Sequence, residues 1–527
     1  MTGPSLSRRD FGRTLGALTI AFGMGAPALA ADAAALPGSL ARNRRLDAWL
    51  RIGADGKVTI FTGKVELGQG ILTALLQIAA DELDVAPERI TLISGDTAQT
   101  PDEGFTSGSQ SIEQGGTALR YACAEARSVL LALAIRRFGP GAYRVKVTDG
   151  VISGRADQSA TYWELVAEAK LTREATAAVS PKAPEELRLV GTSRPRLDIP
   201  AKVTGGAAYV QDLRLPGMLF GRVVRPSGWG ATLAAFDAAP LQDLPGVVAL
   251  VRDGSFLGVV AAREEQAIAA RDAVARAAHW SEAPALPRPE DIHRHLRSLP
   301  AEDHVISRTG YGPVLDTGPA LSAVYTRPYI AHAAIGPSCA VAQWTEGKLT
   351  VWTHSQGVFP LRRDLAKALD LELAQIRCIH MEGSGCYGHN GADDVALDAA
   401  LLARAAGGKP VKVQWMRDDE FRWEPYGPAM SVAASARLDR SGAVVDWTYD
   451  LWSNTHTTRP QPDGVNLLAA WHLARPKAPG KPERIPLPAG GGDRNALPLY
   501  DFAQQQVTHH FIGEMPIRVS ALRALGA

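Results

Sequence analysis

The chain has 527 residues, 56 basic and 55 acidic, for a formal net charge of +1. That length suits three or four domains with ample core, and the balanced charge leaves no electrostatic footprint for nucleic acid. Its four cysteines (Cys123, Cys339, Cys378, Cys386) lack CxxC or CxxCH spacing, which argues against zinc, iron–sulfur or covalent haem sites in this chain. In chain order, Ser7-Arg8-Arg9-Asp10-Phe11 comes first, followed by the apolar run Leu15 to Met24 and the small-residue site Ala28-Leu29-Ala30. The run is too short to cross a bilayer, which takes about 20 residues. Residues 1–30 read as a twin-arginine signal peptide, and the mature protein as periplasmic.

The first folded elements surround a glycine turn. Lys57 to Phe61 reads as a strand rich in β-branched residues. Lys64-Val65-Glu66-Leu67-Gly68-Gln69-Gly70 then runs into a helix, with Ile71, Leu72, Leu75, Leu76, Ile78, Ala79 and Leu83 at helical spacing. A strand, Ile90 to Ile93, follows Pro87. A glycine pair at such a turn lets the backbone approach a ligand and aims the helix's unpaired N–H groups at an anion. Ordinary αβ units also close with turns of this kind. Thr106-Ser107-Gly108-Ser109-Gln110-Ser111 then opens a long helix through Ala118, Ala122, Val129 and Leu133. Hydroxyls at a helix start are commonly plain N-caps.

The pattern recurs. Gln356-Gly357-Val358 begins a helix that leads through Leu369-Asp370-Leu371 to the strand Ile376 to Ile379, as Gln69-Gly70-Ile71 leads through Leu83-Asp84-Val85. From the glutamine to the strand isoleucine is 21 residues in the first copy and 20 in the second. Gly383-Ser384-Gly385-Cys386-Tyr387-Gly388-His389-Asn390 then stands where the first hydroxyl loop stood, ahead of a helix from Val395 to Ala406. An internal duplication would bring two Gln-Gly corners and two loops to one site, forming a cradle for a large polar, phosphate-bearing cofactor. Chance supplies the alternative. Cys386 in that loop is either a small packing residue or a functional thiol.

These residues resemble the molybdenum-cofactor-binding large subunits of the xanthine dehydrogenase and aldehyde oxidase family, in the branch typified by the isoquinoline 1-oxidoreductase β subunit. Glu66 to Gly70 is similar to the family's Gly-Gln-Gly motif, Thr106 to Ser111 to its pterin loop, and Gln356 to the glutamine beside the metal. Gly191 to Gly205 and Asp212 to Leu219 are similar to the entry of its a/b hammerhead domain. The resemblance implies an α+β fold: a molybdenum-cofactor-binding domain of two related lobes plus the hammerhead. It divides the chain into a first lobe with connector over 45–190, the hammerhead over 195–285, and a second lobe over 300–527, incomplete at its C-terminus. The connector carries a small helix from Tyr162 to Ala169.

The resemblance also implies hydroxylation of an aldehyde or N-heteroaromatic carbon with oxygen from water. The cofactor would be molybdenum-molybdopterin in its cytosine dinucleotide form. It would be held by Gly68, Gln69, Gly70, Thr106, Ser107, Gly108, Ser109, Gln110, Ser111, Gln356, Gly357, Gly383, Ser384, Gly385, Cys386 and Tyr387, with no protein side chain ligating the metal. Electrons would leave to a small [2Fe-2S] partner subunit and on to a cytochrome c acceptor. A cofactor inserted in the cytoplasm fits an export route for folded proteins. The family's phenylalanine loop appears here as Gly383 to Gly388, and no glutamate matches the general-base motif. Neither Glu424 nor Glu514 is assigned that role, so the catalytic residue is unassigned. The alternative reading is a truncated or split gene product that is a cofactor scaffold without turnover. His332, in the opening Thr326 to Ala333, is either a structural group or a pocket residue, and Trp415 to Tyr426 either borders the substrate channel or is a solvated strand-to-loop exit.

Fusing residues 1–35 to a prefolded reporter should export it, and Arg8→Lys with Arg9→Lys should retain it in the cytoplasm. Equal export of the two fusions in fractionated cells would contradict the targeting reading.

Overall fold

The computed structural model describes residues 36–526, apart from 141, 143, 156, 240–242 and 311–317. The targeting segment 1–30 lies outside the described residues. In the first lobe, β1 (Leu50–Ile52), β2 (Val58–Thr62), α1 (Ile71–Leu83) and β3 (Ile90–Ser94) form a three-stranded sheet with a covering helix. β2 and β3 pair in parallel with α1 between them, so the unit is a βαβ crossover. The long helix α2 (Thr117–Phe138) packs against α1. Leu75, Leu76, Ala79 and Leu83 of α1 and Ala118, Leu119, Ala122 and Leu130 of α2 share one core. The helix anticipated over Tyr162 to Ala169 is a single turn, Tyr162–Leu165, closed by a capping box between Thr161 and Glu164.

Beyond the connector come β4 (Leu219–Val224), β5 (Val247–Asp253), β6 (Phe256–Ala261) and α3 (Glu264–Ala277). Next are β7 (Ala301–Thr309), β8 (Leu321–Arg327), β9 (Cys339–Thr345) and β10 (Lys348–Thr353). α4 (Val358–Leu369) and β11 (Ile376–His380) complete a second βαβ unit, with β10 and β11 parallel. The chain continues through α5 (Ala392–Ala403), β12 (Val411–Gln414), α6 (Arg417–Trp423), β13 (Met430–Leu438), β14 (Val444–Ser453) and β15 (Gln504–Ile512). α5 starts and ends three residues before the expected Val395 to Ala406. Within Trp415 to Tyr426, read either as a border of the substrate channel or as a strand-to-loop exit, Arg417–Trp423 folds as α6.

The seven-stranded sheet runs β11-β10-β9-β12-β4-β6-β5. It crosses the boundary drawn in sequence between residues 285 and 300, because β12 pairs in parallel with β4. All 12 residues of α5 are buried, so this helix lies inside the main core rather than on a face. The five-stranded sheet runs β7-β15-β14-β13-β8, with β15 paired on both sides. Its edge strand β8 is exposed, Tyr325 at 63%.

The repeat read from sequence is visible in the backbone. α1 and α4 both end on an aspartate in the left-handed conformation, Asp84 at φ 52° and Asp370 at φ 54°. Aspartate tolerates that region better than most side chains. Each helix is followed by a short 3₁₀ turn (Pro87–Arg89; Leu373–Gln375) and then its parallel strand.

Candidate functional site between the two Gln-Gly corners

The ends of β3 and β11 meet antiparallel: His380 N donates to Gly95 O at 2.8 Å and Thr97 N to Cys378 O at 3.0 Å. Arg377 straddles the carboxylate of Asp96 in the same joint. This places the two glutamine corners side by side. Thr106 lies between them: its Oγ1 accepts from Val65 N at 3.0 Å, its N donates to Gln356 O at 2.8 Å, and its O accepts from Gln356 Nε2 at 3.0 Å. Buried Lys64 fixes the approach to Thr106 by donating to Glu103 O (2.8 Å) and Phe105 O (2.9 Å). Burial lowers the Lys64 pKa.

His380 links the corners directly. Its Nδ1 lies 3.0 Å from Ser355 O and its Nε2 2.9 Å from Glu66 O. Both neighbours are acceptors, so two full hydrogen bonds need a doubly protonated ring. Burial pushes the other way, taking the pKa down to about 4. Burial decides at neutral pH, and the neutral ring donates to one carbonyl at a time.

At the first corner the structure corrects the sequence reading. The α1 N-terminus is not free for an external anion, because Glu66 fills it. Its carboxylate accepts from Gly68 N (2.9 Å), Gly70 N (2.7 Å) and Leu72 N (3.3 Å). Gln69 is also used locally, with Oε1 accepting from Leu67 N and Nε2 donating to Val65 O. The segment 191–205 crosses this corner, where Arg196 Nη1 donates to Gly68 O at 2.8 Å. Asp198, Glu66 and Glu382 bring carboxylate oxygens within 4.8 Å of one another. Arg196 pairs with Glu66 and Asp198, and Lys202 with Asp198 and Glu382. The bonds from Arg196 and Lys202 hold the Asp198 pKa down to about 2. What the first corner leaves open is the Cα face of Gly68, where an added Cβ would meet nothing within 4 Å.

The second corner has unused capacity. Gln356 Oε1 is buried without a partner, although its Nε2 is engaged. Ser384 packs on Gly336 and Gly383 on His354, while Tyr387 O accepts from Arg523 N at 2.6 Å. Burial raises the thiol pKa of the half-buried Cys386. Ser107 and Ser111 are half-buried, whereas Gly108, Ser109 and Gln110 are exposed. Of the first hydroxyl loop only Thr106 joins the interior contacts.

A polar chain unread in the sequence runs beneath the Gly383–Asn390 loop. Thr458 N donates to Ser520 Oγ (3.0 Å), so the Ser520 hydroxyl proton points to His389 Nδ1 (2.9 Å). That leaves His389 Nε2 to donate to Asp393 Oδ2 at 2.9 Å, which fixes the tautomer. Asp393 Oδ1 and Arg459 Nη1 are buried without partners. The signal for this region was Ser453-Asn454-Thr455-His456-Thr457-Thr458-Arg459, a third hydroxyl-rich run after a strand. His332 belongs to the same interior. Its N donates to Glu424 Oε1 (2.8 Å) and its Nε2 lies 2.9 Å from Ala521 O. Burial, with Glu420 alongside, raises the Glu424 pKa to about 8. Glu514 instead lines a shallow cleft with Leu286, Arg288 and His295, which shares no residue with either corner.

These shifts predict an acid-sensitive fold. Burial lowers His332, His354 and His380 to about 4 and His456 to about 3. Unfolded histidines titrate near 6.5, so the unfolded chain binds more protons as pH falls below that value. Glu424 at about 8, raised by burial and Glu420, and Asp364 at about 6, raised by burial, act oppositely and lose stability as pH rises through their windows. The four histidines outnumber the two carboxyls below 6.5, each proton counting about 1.4 kcal/mol per pH unit. Above 6.5 the raised carboxyls remain, Glu424 with Glu420 beside it. Thermal unfolding should therefore show a maximum near pH 6.5 and a steep fall toward pH 5. A Tm that rises between pH 6.5 and 5 would contradict these assignments.

Two segments, residues 7–194 and 315–476, match the molybdopterin cofactor-binding domain, together about two thirds of the chain. A nicotinate dehydrogenase subunit from Pseudomonas putida is 38% identical over 503 residues, covering 92% of this chain and 40% of its own. The isoquinoline 1-oxidoreductase β chain of Brevundimonas diminuta is 27% identical over 82% of this chain and 62% of its own. A solved aldehyde oxidoreductase from Desulfovibrio gigas is 17% identical, with 69% of this chain and 42% of that one covered at a TM-score of 0.49. The chain spans 40% and 62% of the two curated relatives' lengths. It belongs to the molybdopterin cofactor-binding family of the xanthine dehydrogenases and aldehyde oxidases.

Proposed function

We propose that this chain is part of a molybdenum hydroxylase large subunit, which binds molybdenum-molybdopterin at the paired corners and oxidises an aldehyde or an N-heteroaromatic compound. The observation that carries this reading is the amide of Gln356. One end is fixed on Thr106, and the other is buried and unpartnered at the junction of two related βαβ units. A buried acceptor without a partner costs about 1–3 kcal/mol, so the position suits a polar group brought in from outside the chain. The residues present fit such a group at the second corner. At the first, Glu66 already occupies the amides, so contact there falls to the Cα face of Gly68 rather than to N–H donors.

In this reading Gln356, Gly383 to Tyr387 and Thr106 hold and orient the cofactor. The bound cofactor supplies the two-electron oxidation chemistry, with oxygen drawn from water. His380 and Thr106 keep the corners in register, and the Ser520–His389–Asp393 chain keeps the loop beneath them in one protonation state. Glu424 is neutral at pH 7, since its carboxyl is raised to about 8 by burial and by Glu420. It holds the His332–Ala333 backbone and is assigned no proton transfer. The cytosine dinucleotide form of the cofactor, a [2Fe-2S] partner, an acceptor cytochrome c and twin-arginine export belong to the same proposal. They draw support from relatives that are themselves subunits of dehydrogenases, the Pseudomonas putida chain among them, and from Ser7 to Phe11.

The chain produced with a molybdenum supply and a [2Fe-2S] subunit should carry molybdenum, measured by elemental analysis. Gln356→Ala should lower the molybdenum content about 10–100-fold, the range for a residue that orients a metal site from outside its ligand set. Gln69→Ala should have little effect on loading, because that side chain serves only its own turn. Absence of molybdenum from the unaltered chain under these conditions would overturn the proposal.

A further inference from the structure

The five-stranded sheet has two edges, and only one of them is guarded. A bare edge strand offers unpaired N–H and C=O groups to any other strand, so folded chains blunt their edges with charges, bulges or proline. β7 is blunted twice. It carries exposed Glu302, Asp303 and Arg308, and its register shifts between Val305 and Ser307. β8 has neither device. Its sequence Leu-Ser-Ala-Val-Tyr-Thr-Arg holds no proline, and its register against β13 runs unbroken from Leu321–Ala436 to Arg327–Met430. Its one charged side chain, Arg327, is half-buried and donates to Leu525 O. Among the described residues β8 pairs on one side only.

β8 also carries the core face of the sheet past its cover. Paired residues share a face, so Leu321, Ala323 and Tyr325 stand beside Ala436, Ala434 and Val432 of β13. Those stand beside Trp447, Tyr449 and Leu451 of β14. Val432, Leu451 and Val507 are buried in a small core on this face. At the edge the same face is open, with Leu321 59% and Tyr325 63% exposed. The other face of β8 is Ser322, Val324 and Thr326, where the Ser322 hydroxyl donates to Ser435 Oγ at 3.3 Å.

We propose that β8 pairs with β8 of a second copy of this chain, antiparallel about a two-fold axis at Val324. The two five-stranded sheets then form one continuous sheet. This goes beyond the hydroxylase reading and does not depend on it. The strand is complementary to itself in that register, which pairs all seven of its residues. Val324 meets its own copy as a β-branched pair, Ser322 meets Thr326 as two hydroxyls, and Ala323 meets Tyr325. On the core face each Tyr325 ring lies over the gap left by the other copy's Ala323, covering surface that one copy leaves open. Leu321 meets Arg327, so no like charges face each other. A slip of one residue would set Tyr325 against Ser322 and turn the apolar face of one copy onto the polar face of the other.

A single strand pair buries less than a standard interface of about 1,600 Å², so association falls in the range of about 1–100 μM. Sedimentation velocity of the full chain should show monomers becoming dimers across that range. Val324→Lys and Val324→Glu each set like charges face to face at the axis and should weaken the dimer about 10-fold. An equal mixture of the two variants should restore it at low salt, because Lys then faces Glu. Without any variant, the amides of residues 321–327 should exchange more slowly with deuterium at high protein concentration than at low. A chain that stays monomeric, a dimer indifferent to either charge, a mixture that stays monomeric, or exchange independent of concentration would each overturn the proposal. A strand of another polypeptide as the true occupant would give the first of these results.

Discussion

The structure depends on one constraint: the backbone of Val65 and Glu66 must stay in register with that of Ser355 and Gln356. Contacts from two side chains and one main chain enforce it from two sides. Thr106 binds Val65 N with its hydroxyl and Gln356 with its main chain, while His380 reaches from Glu66 O to Ser355 O. These groups come from segments nearly 300 residues apart, so the loop-closure entropy they overcome is substantial. Neighbouring terms support them. Lys64 holds the turn into Thr106, and the antiparallel meeting of β3 and β11 aligns the two βαβ units before any side chain acts.

A second constraint lies in α5. A helix buried on every side has no polar face for its charged residues, yet this one carries Asp393, Asp394 and Asp398. Each carboxylate is turned to a different element: His389 in the preceding loop, Arg518 near the C-terminus, and Arg225 after β4 together with Trp415. Such pairs add little net stability compared with apolar packing but penalise any misplaced register strongly. In this fold they orient α5 so that the Gly383–Asn390 loop arrives beneath the second corner.

The sequence was most legible where periodicity and backbone conformation act locally. Both βαβ units, the matched Leu-Asp-hydrophobic helix ends and the pairing of two Gln-Gly corners were readable, because helical spacing, a left-handed aspartate and a β-branched strand are local signals. Side-chain destinations were not. Glu66 belongs to the glycine motif, and only the folded turn reveals that its carboxylate takes the amides an anion would have used. Tyr162–Leu165 is shorter than its pattern because the chain goes over to tight turns, Glu168 N to Leu165 O and Ala169 N to Val166 O, while Ala169 stays in the core. Arg459 went unread because nothing local marks an arginine whose Nη1 ends up buried without a hydrogen-bond partner. Its isolation is a property of tertiary packing alone. Sequence resemblance supplied the family, and the geometry supplied which of its motif positions are free and which are already filled.

The most direct measurement is a double-mutant cycle between Thr106→Val and His380→Ala, by denaturant unfolding of the full chain. Thr106→Val removes one acceptor with little change of volume, and His380→Ala removes the ring that spans the corners. Both act on the same Val65–Glu66 backbone, so the two losses should couple by about 0.5–3 kcal/mol. Additivity within about 0.3 kcal/mol would mean that the two contacts are independent, and that the paired corners are neighbours rather than one joint.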